Sequence, residues 1–388
     1  MPRFIFPLLT LLVAGLSISV DWKPPAPDSP MCRYAGCRYD QIYTGVDASG
    51  ASPTALAALL VADSGNPHIW CTYGDLLSAS GETEKAAAAF DRALALGPGM
   101  APVLMRVANF DFTHDRIEEA LQLTPRILLQ TSNFDGILFS YLETSGEPVS
   151  KMLGRAIPAT PRVAGSWLSW MRARGFSDRD LIDTWTWVSR YHLADDKAAV
   201  DTTQALWQHK SYETSQELWA NWLGARAGDY LHPELLENTR FDRPPDGTPF
   251  DWNLGSTSSV EMTRHDGLEV HFLGKENLDF TGVQQFTSVK PGRYVFTAEI
   301  AADSLTTDMG PYFHIVDSEN AGRLNVETQP ILDSVRRSPI RAEFTVPLGT
   351  RVIQIQLVRR PSLKFDSDIS GTLHIYSVSL VPLGRNPV

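Results

Sequence analysis

The stretch from residue 67 to residue 98 places large and small side chains at the spacing of two antiparallel helices joined by a short turn. Large side chains lie at Trp70, Tyr73 and Leu77, and Gly74 lies between them. The second half of the stretch continues with Ala86, Phe90, Ala93 and the helix-ending Pro98. One such helix pair cannot bury its apolar side alone, so the sequence predicts neighbouring pairs on both sides.

A second, weaker copy of this unit begins at Ala101. Its packing positions are Leu104, Val107, Ala108, Ala120 and Ile127. Asp111 and Thr124 stand where larger apolar residues are usual, and residues 55–61 predict a preceding helix. The 34-residue period and its residue types are those of tetratricopeptide repeats, and we assign residues 51–237 to a helical domain of this kind.

Further helices are predicted after the two units, and seven of the ten tryptophans lie among them. The predicted helices are 134–142, 152–157, 164–173, 180–191, 197–209 and 213–225. The tryptophans are Trp167, Trp170, Trp185, Trp187, Trp207, Trp219 and Trp222. Two interpretations remain open for them: core packing between irregular helices, or an aromatic stripe along a sugar-binding groove.

The pattern changes to alternation with period two near residue 238. Leu268, Val270 and Phe272 alternate with polar residues, and Ile353 and Ile355 do the same around Gln354. Half-buried antiparallel strands have this pattern, and eight or more of them in about 150 residues predict a β-sandwich over 238–388. We expect this part to fold on its own.

Several motifs of the second half occur together in a known group of proteins. They are Asn238-Thr239-Arg240-Phe241-Asp242, Pro249-Phe250-Asp251-Trp252, Gly274-Lys275-Glu276-Asn277, Gln284-Gln285 and Val289-Lys290-Pro291-Gly292-Arg293-Tyr294. Over residues 53–388 the chain resembles bacterial tetratricopeptide proteins with a C-terminal jelly roll similar to carbohydrate-binding modules. The resemblance implies an envelope protein linked with surface or exopolysaccharide production. Tyr376 stands where related jelly rolls place a calcium-binding Asp, so the resemblance carries no calcium site to that position.

The candidate glycan-binding residues of the sandwich are rings and amides. They are Trp252, Tyr312, His314, Asn277, Gln284 and Gln285. The rings would stack on sugar faces and the amides would hydrogen-bond to hydroxyl groups. The alternative interpretation places Trp252, together with Phe313, in the core of the sandwich.

No catalytic, cofactor or metal motif is predicted. Glycoside hydrolysis requires two carboxylates across a cleft, and no spacing selects a pair among Asp251, Glu261, Asp279 and Glu299. Nucleophile-elbow, zinc-protease, Walker and dinucleotide motifs are absent from the sequence. A formal charge of −11 and a pI near 5.3 argue against nucleic acid as a partner.

The first 50 residues predict export from the cytoplasm. Arg3 precedes the apolar run 4–20, which is a signal peptide or a membrane anchor over 1–20. Residues 21–50 form a Pro-rich linker that carries Cys32 and Cys37, which we expect to form a disulfide. Free thiols are the main alternative.

The sequence therefore predicts a multidomain protein with all-α helical repeats followed by an antiparallel jelly roll. The leading hypothesis is a non-catalytic adaptor that is periplasmic, secreted or anchored in the inner membrane. It would bind a protein through the repeats and a polysaccharide through the sandwich. A hydrolase that uses the β-domain and a purely structural scaffold are the alternatives.

Overall fold

The computed structural model of this protein describes residues 53–364 and 368–384. Cys32, Cys37 and the predicted N-terminal targeting segment lie outside the described residues. The helices are α1 (Pro53–Ala62), α2 (Pro67–Ala79), α3 (Thr83–Leu96), α4 (Ala101–Thr113), α5 (Ile117–Gln130), α6 (Asp135–Thr144), α7 (Val149–Met152), α8 (Pro161–Arg174), α9 (Asp178–Arg190), α10 (Asp196–Gln208) and α11 (Tyr212–Leu223).

The two predicted repeat units are the helix pairs α2–α3 and α4–α5. Ala86 and Ala93 are fully buried in the first pair, and Leu104 and Ile127 in the second. Gly74 shows why the pair needs a small residue, because a Cβ atom there would lie 2.8 Å from the Phe90 ring. The helix-turn-helix prediction is confirmed by this packing.

The later helices confirm the sequence prediction in most places and correct it in one. The predicted helix 152–157 is wrong, because α7 ends at Met152 and Gly154 adopts a left-handed φ of 80°. The tryptophans of α8–α11 are buried or half-buried. Trp167, for example, packs at right angles to Phe139, with ring centroids 5.1 Å apart. Core packing is therefore the correct interpretation for the three buried tryptophans, Trp167, Trp185 and Trp219.

Two five-stranded antiparallel sheets follow the helices. The strands are β1 (Asn253–Leu254), β2 (Val260–Arg264), β3 (Leu268–Leu273), β4 (Phe280–Ser288), β5 (Gly292–Leu305), β6 (Tyr312–Asp317), β7 (Asn325–Glu327), β8 (Asp333–Val346), β9 (Val352–Arg359) and β10 (Ser370–Pro382). The first sheet has the order β1-β4-β9-β6-β7, and the second has the order β2-β3-β10-β5-β8. The fold is helical repeats followed by an antiparallel β-sandwich, as predicted.

The alternating apolar residues of the two sheets face each other and form the core of the sandwich. Val283, Phe313 and Leu357 come from the first sheet, and Val270 and Phe296 from the second. The opposite side of each strand therefore faces away from this core, which decides the residues that each sheet offers to a ligand.

The chain divides into two compact units, residues 1–131 and 132–388. The change from helix to strand lies later, between the short 3₁₀-helix Gly224–Ala227 and β1. Helices α6–α11 thus belong to the same compact unit as the sandwich. Within the residues that the structure describes, no helix is long and apolar enough to cross a membrane.

Candidate functional site

The outer side of the first sheet collects polar and aromatic side chains, and we call it the polar face. Its members are Asn253 on β1, Gln284 on β4, Gln354 and Gln356 on β9, Tyr312 and His314 on β6, and Asn325 and Glu327 on β7. It is built by alternation, since the residues between them on the same strands fill the core.

One row of five polar side chains crosses the whole sheet. Strand pairing places Asn253 opposite Gln284, and Gln284 opposite Gln356. His314 lies opposite Gln356 on one side and opposite Glu327 on the other. Residues directly opposite each other share a face, and strands lie about 4.8 Å apart, so the row is roughly 19 Å long.

Hydrogen bonds within the polar face orient some amides and leave others available. Gln354 Nε2 donates to Gln284 Oε1 over 2.6 Å. His314 Nε2 lies 2.9 Å from Asn325 Oδ1. Among the described residues, the side chains of Asn253 and Gln356 have no hydrogen-bond partner, so both can offer donors and acceptors to a ligand.

A tyrosine and an ion pair border the row on β6 and β7. The Arg360 guanidinium lies 5.6 Å from the centre of the Tyr312 ring and donates to Glu327 over 2.5 Å. Tyr312 Oη is buried without a hydrogen-bond partner in the described part of the chain. Burial, followed by the charge of Glu327, raises the pKa of Tyr312, so the phenol is protonated at neutral pH.

Helices α10 and α11 form a boundary of the polar face next to Phe286 of β4. The Trp207 ring packs on Phe286 of β4, with ring centroids 5.0 Å apart. Tyr212 Oη donates to Glu319 over 3.4 Å, and Arg351 Nη2 donates to the same carboxylate over 2.6 Å. These contacts fix one wall beside the open row of amides.

Three of the six predicted site residues lie on the polar face, and three do not. Gln284, Tyr312 and His314 are on it. Trp252 is 1% exposed and Gln285 is 0% exposed, so the structure corrects both assignments. Trp252 fills the core, which was the alternative interpretation.

Asn277 lies outside the polar face, where a loop uses most of its amide group. Its Oδ1 accepts from Arg359 Nη1 over 2.9 Å and from Ser362 N over 2.8 Å. Its Nδ2 donates to Ser362 O over 2.7 Å. The residue holds the loop in place.

Sequence reasoning missed Asn253, Gln354, Gln356, Asn325 and Glu327 as site residues. A signal was present for two of them, because Gln354 and Gln356 alternate with core isoleucines on β9. Alternation assigns them to an outer side but does not tell which strands lie beside them. Only the strand order brings the five together.

Two of the four carboxylates considered for hydrolysis, Asp251 and Glu299, accept hydrogen bonds from the protein. Asp251 is 2% exposed, and both of its oxygens accept hydrogen bonds. Glu299 Oε2 accepts from Arg337 Nη2 over 2.7 Å on the second sheet, and this hydrogen bond lowers the pKa of Glu299. Both groups are engaged by protein donors.

A broad cleft of 1840 Å³ lies between α11 and the edge of the sandwich. Its cationic side chains already have acidic partners. Lys290 Nζ lies 2.6 Å from Glu213, and Arg293 Nη2 lies 3.3 Å from Glu343. These cations of the cleft are therefore paired within the protein.

Solved structures resemble the two parts of the chain separately. YrrB, described as a TPR protein with an unusual peptide-binding site, is 15% identical over 43% of this chain and 91% of its own, with a TM-score of 0.25. MamA is 17% identical over 39% of this chain and 87% of its own, with a TM-score of 0.25. A CBM4 structure is 15% identical over 38% of this chain and 99% of its own, with a TM-score of 0.29.

No protein-family model matches the sequence. No curated protein matches it either.

Proposed function

We propose that this protein is a non-catalytic adaptor that binds a glycan on the polar face and a protein partner on its helical repeats. The observation that carries the glycan part is the row Asn253–Gln284–Gln356–His314–Glu327 across the first sheet. Amides and imidazole pair with sugar hydroxyl groups, and a row of them fits an extended chain of sugars.

A neutral glycan fits the charge of this face best. Glu327 and Arg360 neutralise each other over 2.5 Å, and the remaining row members are amides and a histidine. The formal charge of −11 on the whole chain also disfavours anionic polymers.

Titration of the full chain with neutral oligosaccharides tests this part of the proposal. We expect weak binding, with a dissociation constant on the order of micromolar to millimolar. Gln356→Ala removes an amide that no protein group uses, so it should weaken binding about five- to tenfold without loss of stability.

Gln122→Ala, at an exposed glutamine on α5, is the matched control and should bind like the wild type. Equal affinity of the wild type and Gln356→Ala would remove the polar face from the proposal. Release of reducing ends from the oligosaccharide would instead favour the hydrolase.

The protein-binding part rests on a polar patch shared by α2 and α4. Arg106 Nη1 donates to Thr72 Oγ1 over 3.2 Å, and Arg106 pairs with Asp75. Arg106 and Asp75 are partly exposed, so a partner can reach both charges.

A protein partner that co-purifies with the wild-type full chain in a one-to-one ratio should no longer co-purify with Arg106→Ala. It should be retained with Arg92→Ala, which changes an exposed arginine of α3. Retention with both variants would exclude this patch.

The envelope location is the remaining part of the proposal, and Arg3 with the apolar run 4–20 motivates it. Alkaline phosphatase fused after residue 45 should be active in a bacterial host. Activity only of a cytoplasmic reporter at that position would exclude export and, with it, a role in surface polysaccharide production.

A further inference from the structure

Three carboxylates meet in the segment that leads from the helices into the sandwich. Glu237, Asp246 and Asp251 each place one oxygen within 4.8 Å of the others. Glu237 and Asp251 are 1% and 2% exposed, and Asp246 is half-buried. The cluster is part of neither the polar face nor the broad cleft.

The protein neutralises only part of this charge. Among the described residues, Arg243 is the one cation paired with the cluster, and its Nη2 lies 2.8 Å from Glu237 Oε1. Once all three carboxylates are ionised, one guanidinium leaves two negative charges in a region largely closed to water. Buried charges without compensation are costly, so a further positive charge is expected.

Neutral donors hold the carboxylates in place. Trp219 Nε1 donates to Glu237 Oε2 over 2.5 Å. Asn238 Nδ2 donates to Asp251 Oδ1 over 3.2 Å, and the main-chain N–H of Asp246 donates to Asp251 Oδ2 over 3.1 Å. Asp251 Oδ1 also accepts from the main-chain N–H of Trp252 over 2.7 Å. Each carboxylate oxygen has two lone pairs, so one remains for a ligand on Glu237 Oε2 and one on Asp251 Oδ2.

A buried hydroxyl group beside the cluster has no partner. Tyr230 is 4% exposed, and its Oη makes no hydrogen bond within the described residues. The amide of Gln216 is nearby, but it is engaged by Thr287 and by the main chain of Ser288. A buried hydroxyl without a partner is rare in proteins and indicates a group that is still to be added.

The charges of the cluster act on this hydroxyl. Burial raises the pKa of Tyr230 most, and the charges of Glu237, Asp246 and Asp251 raise it further. The phenol thus lies within the field of all three acids.

The acids themselves hold protons unusually well. Burial, followed by the charges of Asp246 and Asp251, raises the pKa of Glu237 to about 8. Burial, followed by the charge of Asp246, raises the pKa of Asp251 to about 6. A proton and a metal ion therefore compete for the same oxygens.

We propose that Glu237, Asp246 and Asp251 bind one divalent cation that prefers oxygen ligands, Ca²⁺ before Mg²⁺, with water bridging to the Tyr230 hydroxyl. Ca²⁺ accepts irregular sets of oxygens at about 2.3–2.6 Å, so opposite ligand oxygens lie roughly 5 Å apart. The 4.8 Å spread of the three oxygens matches this size. Mg²⁺ requires about 2.0–2.1 Å and a regular octahedron.

The cation would join two parts of one compact unit. Glu237 is bonded to Trp219 of α11, whereas Asp251 directly precedes Trp252 in the sandwich core. This site is distinct from the jelly-roll calcium position of the family, where the chain has Tyr376.

Calorimetric titration of the full chain with CaCl₂ and with MgCl₂, after dialysis against EDTA, tests the proposal. We expect one Ca²⁺ per chain, weaker Mg²⁺ binding, and a higher thermal midpoint with Ca²⁺. Asp246→Asn should weaken Ca²⁺ binding at least tenfold. It changes the most exposed of the three acids, so the metal-free variant should unfold at a temperature close to that of the metal-free wild type.

Asp242→Asn is the matched control, because Asp242 is an exposed acid of the same segment, 3.9 Å from Arg240. It should bind Ca²⁺ like the wild type. Absence of both heat and a midpoint shift in the wild type at millimolar Ca²⁺ and Mg²⁺ would overturn the proposal, as would wild-type affinity in Asp246→Asn. Should Asp246→Asn not fold, the wild-type titration still decides whether the site exists.

Discussion

Asp111 illustrates how one residue can oppose the stability of an otherwise regular repeat. It lies on α4, where the repeat pattern usually has a large apolar side chain, and it is 2% exposed. Arg116 Nε lies 3.2 Å from its Oδ1. Burial still outweighs this ion pair and raises the pKa of Asp111 to about 6.

The pH dependence of unfolding should show this cost. The folded state keeps the Asp111 proton to a higher pH than the unfolded state, so this group stabilises the fold at low pH and the stability is lost as pH rises from about 4 to about 6. Relative to Asp111→Asn, which cannot ionise, the wild type should lose on the order of 2–3 kcal/mol over that range. Urea unfolding at a series of pH values measures the difference.

The control for this experiment is the neighbouring Asp115→Asn. Asp115 is exposed and has a positive φ of 64°, a backbone conformation that Asn tolerates well. Because Asp115 is exposed, this substitution should cost little stability. A flat difference for Asp111→Asn would show that Arg116 compensates the buried charge fully.

For single residues, the sequence predicted the chemical type of the candidate site residues better than their positions. Rings and amides were expected, and Tyr312, His314 and Gln284 are on the polar face. Gln284 and Gln285 are adjacent in sequence, yet a strand turns them to opposite sides, and only the register decides which side is buried. Trp252 was ambiguous because a large ring suits a core and a sugar equally well.

Helix α11 packs against β4, and Gln216 is the central contact between them. It is 1% exposed, its Nε2 donates to Thr287 Oγ1 over 2.9 Å, and its Oε1 accepts from Ser288 N over 2.6 Å. The main-chain N–H at the end of the strand therefore depends on a helical side chain.

Gln216→Ala should destabilise the unit 132–388 by about 2–4 kcal/mol, because it removes two hydrogen bonds and leaves the N–H of the half-buried Ser288 without its protein partner. Chemical denaturation followed by tryptophan fluorescence measures the change. Gln204→Ala is the control, since Gln204 Nε2 donates to Gly247 O at the surface over 2.9 Å. It should cost less than about 1 kcal/mol. Similar costs for the two variants would contradict a special role for Gln216.

The elements themselves were largely predictable, since periodicity reports which side of a helix or strand is buried. The sequence alternates with period two along β5, and the four apolar positions of this alternation, Tyr294, Phe296, Ala298 and Ile300, are all buried. The prediction of a helix over 152–157 is wrong because an apolar run does not indicate the left-handed turn at Gly154. The pairing of α11 with β4 was not predictable, because Gln216 and Thr287, which join them, are ordinary polar residues in the sequence.

On the scale of the whole molecule, the change from helix to strand does not coincide with the division into compact units. Along the chain, the first compact unit ends at Thr131, whereas the first strand begins at Asn253. The segment before the strands pairs with the sandwich, because Leu235 N donates to Leu380 O over 2.9 Å and Val378 N donates to Thr239 O over 2.8 Å. The sequence pattern had suggested a sandwich that folds independently of these contacts.

The fragment 132–388 should therefore fold cooperatively, and the fragment 239–388 should be markedly less stable. Cutting at residue 239 removes Trp207 from Phe286, removes Gln216 from Thr287, and uncovers the outer side of β4. It also deletes Leu236, which belongs to the sandwich core, so apolar area is lost together with hydrogen bonds. Thermal unfolding of the two fragments, with the full chain as reference, measures the effect. If residues 239–388 alone unfold at the same temperature as residues 132–388, then α10 and α11 only rest on the sandwich and do not stabilise it.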